Sequence, residues 1–422
     1  MSSPTLKQAD DGLDFIFLGT GTSSSLPHIE CLTALPGEKP CRTCLSTLTP
    51  EGKKNTRRNT SGVVRVRGKD GNIVTIVIDV GKNFQAAALE WFPKHGLRKI
   101  DAVLITHAHA DGSLYNFLLR PSFAELLFWH GIAMNGLDDL RGWTLNCHIQ
   151  PHIDVYVSEA TFTEIHRSFP YLVMKEFASG GGDVPEFKWH IIHDKVPFEI
   201  QETGISVTPF SVHHGRHFSS SPPPSYLPTP NSTVPSSPFS TVPSTPTALS
   251  RSLPLTSQRS SEAEPSKASS SKIHPYLCFG FKIQDALVYL SDVSHIPEEV
   301  FPIIQKGKGG APVPVCVLDC LRLQAHTSHM GLAESIAAAR KIGASRTYLT
   351  GFGHEVSHEE YVTITEYVGM GETASKRPLS DVEKEGIQLV QGGPHGIWVR
   401  PAHDGLKVVV AGTGSVVDTS YF

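Results

Sequence analysis

The run Thr106-His107-Ala108-His109-Ala110-Asp111 holds the side chains of this chain best suited to chemistry, and it follows the apolar stretch Ile100-Asp101-Ala102-Val103-Leu104-Ile105. Two imidazoles and a carboxylate at alternating positions share one side of an extended chain, and the loop beyond can converge them on one ion. Imidazole nitrogen and carboxylate oxygen suit zinc, manganese or iron. A set that leaves coordination positions open is catalytic rather than structural. Three more polar residues stand where apolar runs end. His214 follows Thr208–His213, Asp292 follows Leu287–Ser291, and His354 follows Tyr348–Gly353. Ligands in layered α/β folds gather at such strand ends. Together these residues have the chemistry to hold two ions about 3.5–4 Å apart, bridged by a carboxylate.

A second cluster, Cys31 with Cys41-Arg42-Thr43-Cys44, lies in a Pro-rich stretch. Seven cysteines, an odd number, and a polar beginning with no apolar secretory core argue against a disulfide framework. Thiolates at this spacing are expected to bind a structural zinc, with His358 as the fourth ligand. Cys147, Cys278, Cys316 and Cys320 lie in or beside apolar runs and are expected in the core.

The elements that must position these groups follow from hydrophobic periodicity. Strands are predicted at Asp14–Leu18, Ser61–Arg67, Ile73–Asp79, Ala102–Thr106, Ile153–Val157, Ile205–Val212, Phe279–Ile283, Leu287–Leu290, Val313–Leu318 and Arg346–Leu349. Helices are predicted at Asn83–His95, Glu159–Ser168 and Leu332–Ile342. Lys69-Asp70-Gly71-Asn72 has the chemistry of a hairpin turn. Gly19-Thr20-Gly21-Thr22 is compatible both with a plain turn and with a phosphate cradle, although no Gly-Lys-Ser/Thr follows it. Runs of strands that give way to alternating strands and helices indicate an α/β sandwich.

The chain has 422 residues and a net charge of −4, so no broad basic field draws it to nucleic acid. Lys53-Lys54-Asn55-Thr56-Arg57-Arg58 is a local exception, read first as a solvated turn and second as a site for an anionic substrate. No apolar run reaches the length of a membrane span, and a cytoplasmic or nuclear location is expected. Residues 219–271, dominated by Pro, Ser and Thr, are expected to be a disordered loop inserted within one domain.

Asp79, His107-Ala108-His109-Ala110-Asp111, His214, Asp292 and His354 resemble, in order, the motif pattern of the metallo-β-lactamase superfamily. Leu18-Gly19-Thr20-Gly21-Thr22-Ser23, His326-Thr327-Ser328-His329 and Leu349-Thr350-Gly351-Phe352-Gly353-His354 are similar to its tRNase Z and phosphoribosyl cyclic phosphodiesterase branch. The resemblance implies a four-layer αββα sandwich over residues 13–408, with flexible termini at 1–12 and 409–422. It implies that His107, His109 and His214 hold one divalent ion, zinc or manganese. Asp111 and His354 would hold a second, Asp292 would bridge, and Asp79 would orient a ligand. A metal-activated hydroxide would attack phosphorus, and His329, with His326 as a weaker candidate, would protonate the leaving group.

The expected activity is hydrolysis of a small or cyclic phosphodiester by a soluble enzyme, with a homodimer compatible and nucleic acid not favoured. Thioester or lactone hydrolysis, tRNA 3′ processing, and a weakly active scaffold binding partners through its Pro/Ser-rich loop are the alternatives. One departure matters: the family commonly has Asp-His where this chain has Asp111-Gly112, so the second ion is expected to be loosely held. Residues 112–132 form an apolar insert after Asp111, and the family-like segment Met134–Arg141 arrives only after Ala133. They read as an apolar lid or, in the favoured reading, as a translated unspliced intron, because the insert separates Asp111 from the helix that would anchor it.

Overall fold

The computed structural model describes residues 12–108, 133–177, 183–216, 274–373 and 377–421. His109, Asp111, the 112–132 insert, the 219–271 loop and residues 1–11 lie outside them. Residues Phe218–His274 form a unit separate from the one described below, which comprises Met1–His217 and Pro275–Phe422.

The strands are β1 (Leu13–Gly19), β2 (Ser61–Arg67), β3 (Ile73–Ile78), β4 (Ala102–Leu104), β5 (Ile153–Val157), β6 (Phe187–Ile191), β7 (Phe198–Ile200) and β8 (Ile205–Arg216). They continue with β9 (Pro275–Ile283), β10 (Leu287–Leu290), β11 (Val315–Asp319), β12 (Arg346–Thr350), β13 (Val399–Pro401), β14 (Lys407–Val410) and β15 (Val416–Asp418). The longer helices are α1 (Phe84–His95), α2 (Glu159–Ser168), α3 (Leu332–Ile342), α4 (His358–Met370) and α5 (Asp381–Val390).

One sheet runs β15-β14-β1-β2-β3-β4-β5-β6 and the other β13-β12-β11-β10-β9-β8-β7. Both are mixed. In the first, β1 pairs antiparallel with β2, whereas β3 and β4 are parallel. In the second, β9 and β10 are antiparallel, whereas β11 and β12 are parallel.

Strand alternation produces the layers. Phe15, Phe17, Ile76 and Ile78 of one sheet meet Phe281, Tyr289, Val317 and Tyr348 of the other in one apolar core. The alternate residues Ile16, Leu18, Val63 and Val77 pack with α1 and α2. On the far side, Leu290, Leu318 and Leu349 pack with α3, α4 and α5. Three apolar layers between two sheets and two helical shells make the four-layer αββα sandwich, so the parallel parts are covered on both faces as such sheets require.

Ala133–Leu140 docks directly on the chain leaving β3. Val80 N donates to the Ala133 carbonyl (2.7 Å), and Gly136 N donates to the Val80 carbonyl (2.8 Å). A Cβ at Gly136 would sit 2.3 Å from the Gly81 carbonyl oxygen, so only glycine permits this approach.

Two expectations need correction. The tail after residue 408 is ordered: β15 pairs with β14, and buried Asp418 accepts from Arg346 Nη1 and from the Tyr348 hydroxyl, both at 2.7 Å. The domain therefore extends to Tyr421, because an acidic residue in a polar tail finds its partners on β12. Cys147, expected in the core, is exposed at a left-handed turn with φ 55°. The other three cysteines outside the cluster, Cys278, Cys316 and Cys320, are buried.

Candidate metal centre

Strands β3, β4, β8 and β10 end at one edge of the sandwich and bring together His107, His214 and Asp292. Their ligand-capable atoms lie within 4.8 Å of one another, and all three residues are buried. Each imidazole is oriented from behind. His214 Nδ1 donates to the Ser328 carbonyl (2.7 Å), which puts the proton on Nδ1 and makes Nε2 the basic nitrogen.

For His107 the backing runs through two residues. Thr106 Oγ1 lies 2.8 Å from His107 Nδ1 and donates to the Asp79 carboxylate at 3.0 Å. The hydroxyl has one proton, and with that proton on Asp79 its oxygen accepts from His107 Nδ1. Asp79 also accepts from Thr106 N (2.8 Å). Its φ of 61° turns the chain sharply after β3 towards Thr106, a conformation Asp tolerates better than most residues. Burial raises the Asp79 carboxyl well above its usual range, against the pull of the Thr106 N–H, and Asp292 raises it further.

Beside these three side chains stands a histidine–carboxylate pair. His329 Nδ1 lies 3.0 Å from Asp319 Oδ2 and 4.0 Å from Asp292 Oδ1. Its ring centre is 4.7 Å from that of His214. Asp319 Oδ2 also accepts from Val293 N (3.1 Å) and Met330 N (3.2 Å). Burial alone would lower the His329 pKa, but the Asp319 charge and hydrogen bond raise it to about 9. Burial pushes Asp319 up to about 6 although His329 pulls it down. Between those values the pair stands as imidazolium and carboxylate.

Asp319 was not among the sequence candidates. The signal was present, since it ends a predicted apolar strand just as Asp292 does. His326, the weaker acid candidate, is exposed, and its ring centre lies 5.7 Å from that of His329.

His354 lies elsewhere than expected. Its Nδ1 is 3.3 Å from Cys31 Sγ, 3.7 Å from Cys41 Sγ and 3.7 Å from Cys44 Sγ. A tetrahedral zinc with ordinary bond lengths holds S and N ligands about 3.6 Å apart. These four side chains fit such an ion. His354 therefore stands where His358 was expected, among the cysteines, and away from His107, His214 and Asp292.

His358 is one turn further on and buried, with Nε2 3.0 Å from the Tyr421 hydroxyl. Burial, with His403 adjacent, holds its pKa well below the ordinary value. Spacing alone could not separate two histidines four residues apart. The loop that carries His354 is pinned by Arg57, which donates to the Gly353 carbonyl and, at 2.9 Å, to that of Val356.

The basic run is accordingly structural at Arg57, which is buried, and ion-paired at Arg58, which donates to Glu90 (2.7 Å). The Gly19-Thr20-Gly21 loop joins the two sheets, with Gly351 N and Phe352 N both donating to the Thr20 carbonyl at 3.0 Å.

No protein-family model matches the chain, and neither does any curated protein. Solved structures do match it. A diphosphatase from the PhnP family superposes with a TM-score of 0.53 at 21% identity, covering 94% of this chain and 96% of that one. YhfI from Bacillus subtilis, a metallo-beta-lactamase fold protein, gives 0.48 at 12% identity over 94% and 99% of the two chains. Unliganded yeast PDE1 gives 0.46 at 9% identity over 94% and 99%. With two mixed sheets between helical shells, this chain has the metallo-β-lactamase fold.

Proposed function

We propose that the chain is a metal-dependent hydrolase of small or cyclic phosphodiesters. The observation that carries this reading is the convergence of His107, His214 and Asp292 beside the His329–Asp319 pair. Three inward donors with oriented imidazoles suit a divalent ion, zinc or manganese, with coordination positions left for substrate. When bound, such an ion supplies Lewis-acid chemistry and a water acidified towards neutral pH.

The chain's own residues do the rest. The Asp79–Thr106 pair and the Ser328 carbonyl hold the two imidazoles in the tautomer that exposes Nε2. Asp319 keeps His329 protonated, and His329 gives its Nε2 proton to the departing alkoxide as general acid. An imidazolium beside the ligands favours phosphodiesters with alkoxide leaving groups over thioesters, whose thiolate leaves without help.

A second catalytic ion would draw on Asp292 and Asp111 without His354, and so would be held more weakly. Cys31, Cys41, Cys44 and His354 would hold a separate structural zinc.

The test is turnover of bis(p-nitrophenyl) phosphate with added Mn²⁺ or Zn²⁺, for the wild type and His107→Ala. Metal-dependent turnover that the variant loses by at least about a hundredfold is expected. Turnover that is absent, or equal in both proteins, overturns the proposal.

A further inference from the structure

The rim of the candidate site carries an aromatic ring for which the hydrolytic reading has no task. Tyr276 stands on β9, and its ring centre lies 6.1 Å from that of His107 and 6.1 Å from that of His214. The two imidazole centres are themselves 4.9 Å apart, so both lie on one side of the phenol. They meet it steeply, at interplanar angles of 78° and 65°. Such edge-to-face contacts are the arrangement that aromatic rings prefer.

The local fold accounts for this placement. β8 and β9 are antiparallel, and their register slips near the end of β8: His213 pairs with Leu277, but Arg216 pairs with Pro275. β8 thus carries one residue more than β9 over the same span. This is a β-bulge, which re-aims side chains beside functional sites. Gly215 takes the left-handed conformation there, with φ 76°, and its N–H donates to Ser294 Oγ (2.9 Å). A Cβ at Gly215 would stand 3.0 Å from Ser328 Cβ, and the Ser328 carbonyl is the acceptor for His214. The bulge therefore seats His214 on the Ser328 loop and beside His107, with Tyr276 on the facing strand.

Strand alternation decides which way Tyr276 faces. Phe279 and Phe281 pack in the core between the sheets. Cys278 belongs to the opposite face and is buried, with Sγ 3.5 Å from His107 Nδ1. Tyr276 is two residues away and shares the face of Cys278. Along that face the strand passes from full burial at Cys278 to half-burial at Tyr276. The phenol thus touches two candidate ligands and keeps part of its surface open to solvent.

A half-open aromatic ring offers a surface to the organic part of a substrate rather than to its phosphoryl oxygens. His329 also touches His214, with 4.7 Å between ring centres, but it reaches His214 from the loop after β11. The departing oxygen belongs with His329, and the ester group that stays on phosphorus belongs with Tyr276. Flat rings stack on such a side chain whatever their substituents, because each has a π-face.

We propose that Tyr276 is a substrate-contacting residue that selects phosphodiesters whose retained ester group carries a flat aromatic ring. Its kinetic consequence rests on the hydrolase reading, whereas the stacking surface can be read by binding alone.

The test holds the leaving group fixed. Bis(p-nitrophenyl) phosphate and methyl p-nitrophenyl phosphate both release p-nitrophenolate, but the first retains an aryl group and the second a methyl group. Tyr276→Ala should raise KM for the bis-aryl ester about tenfold, with kcat and the KM for the methyl ester little changed. Tyr276→Phe keeps the ring and should behave as wild type. KM values that move together for both esters, or that do not move, overturn the proposal. So does loss of bound metal from Tyr276→Ala, read by mass spectrometry, which would make the ring a support for the imidazoles.

If the wild type turns over neither diester, the hydrolase reading fails, and calorimetric titration of the zinc-loaded protein with p-nitrophenyl phosphate and with methyl phosphate decides the stacking surface. About tenfold tighter binding of the aryl ester, abolished in Tyr276→Ala, is expected. Equal binding of the two, or none, overturns the proposal.

Discussion

At the scale of single residues, the chain separates the candidate ligands from the groups that orient them. His107 and His214 are each backed by an oxygen that fixes the tautomer, and His329 is backed by a carboxylate. Asp319→Asn removes the charge that keeps His329 protonated. It should lower kcat on an alkoxide-releasing diester by about a hundredfold with KM little changed, measured by steady-state kinetics. Metal content is checked by mass spectrometry. After dialysis the wild type should keep fewer than two catalytic ions per chain together with the zinc at the cysteines. Cys41→Ser with Cys44→Ser should lose one zinc and lower the thermal midpoint. Unchanged zinc stoichiometry would count against the Cys31-Cys41-Cys44-His354 site.

At the scale of elements, the loops that follow β10, β11 and β12 act as a unit. Gly353 N donates to the Leu321 carbonyl (2.7 Å), and Leu321 N donates to the Met330 carbonyl (3.0 Å). The loop pinned by the cysteines through His354 is thereby bonded to the loop that carries His329. The C-terminal strand is the second case. Asp418 is buried and takes hydrogen bonds from Arg346 and Tyr348 on β12, a strand of the other sheet. Asp418→Ala leaves a guanidinium and a hydroxyl without their acceptor. The expected loss of stability is about 3 kcal/mol, read from urea unfolding. A loss below about 1 kcal/mol would mean that β15 is as dispensable as a polar tail.

At the scale of the whole molecule, stability should depend on pH through buried neutral histidines. His403 Nδ1 donates to the Asp404 carbonyl (2.9 Å), and its Nε2 lies 2.6 Å from Ser420 Oγ. Burial lowers its pKa from the ordinary 6.5 to about 4. Between those values the unfolded chain binds a proton that the folded chain does not. The stability tied to the neutral ring is complete above pH 6.5 and is lost as pH falls towards 4. For this partly exposed group the loss is on the order of 2 kcal/mol. Urea titrations at several pH values should show a shallower acid decline for His403→Gln than for wild type. An identical decline would remove His403 as a contributor.

Much of the fold could be read along the chain, because apolar alternation is a local property. The Ser61–Arg67, Ile153–Val157, Glu159–Ser168 and Leu332–Ile342 elements are where periodicity places them. Strand ends likewise marked His107, His214 and Asp292, which the structure brings together. The short strands β7, β13 and β15 carry too few residues for a period to show, and β6 is only partly buried. By itself, then, the sequence determined the layered α/β class, the kinds of side chain at the candidate site and the spacing of the cysteines, all of which depend on residue type and local pattern. Only the tertiary structure decided that His354 joins the cysteines, that Asp319 backs His329 and that the tail closes a sheet. Those facts depend on which strand ends lie side by side, a matter of long-range pairing that no local pattern encodes.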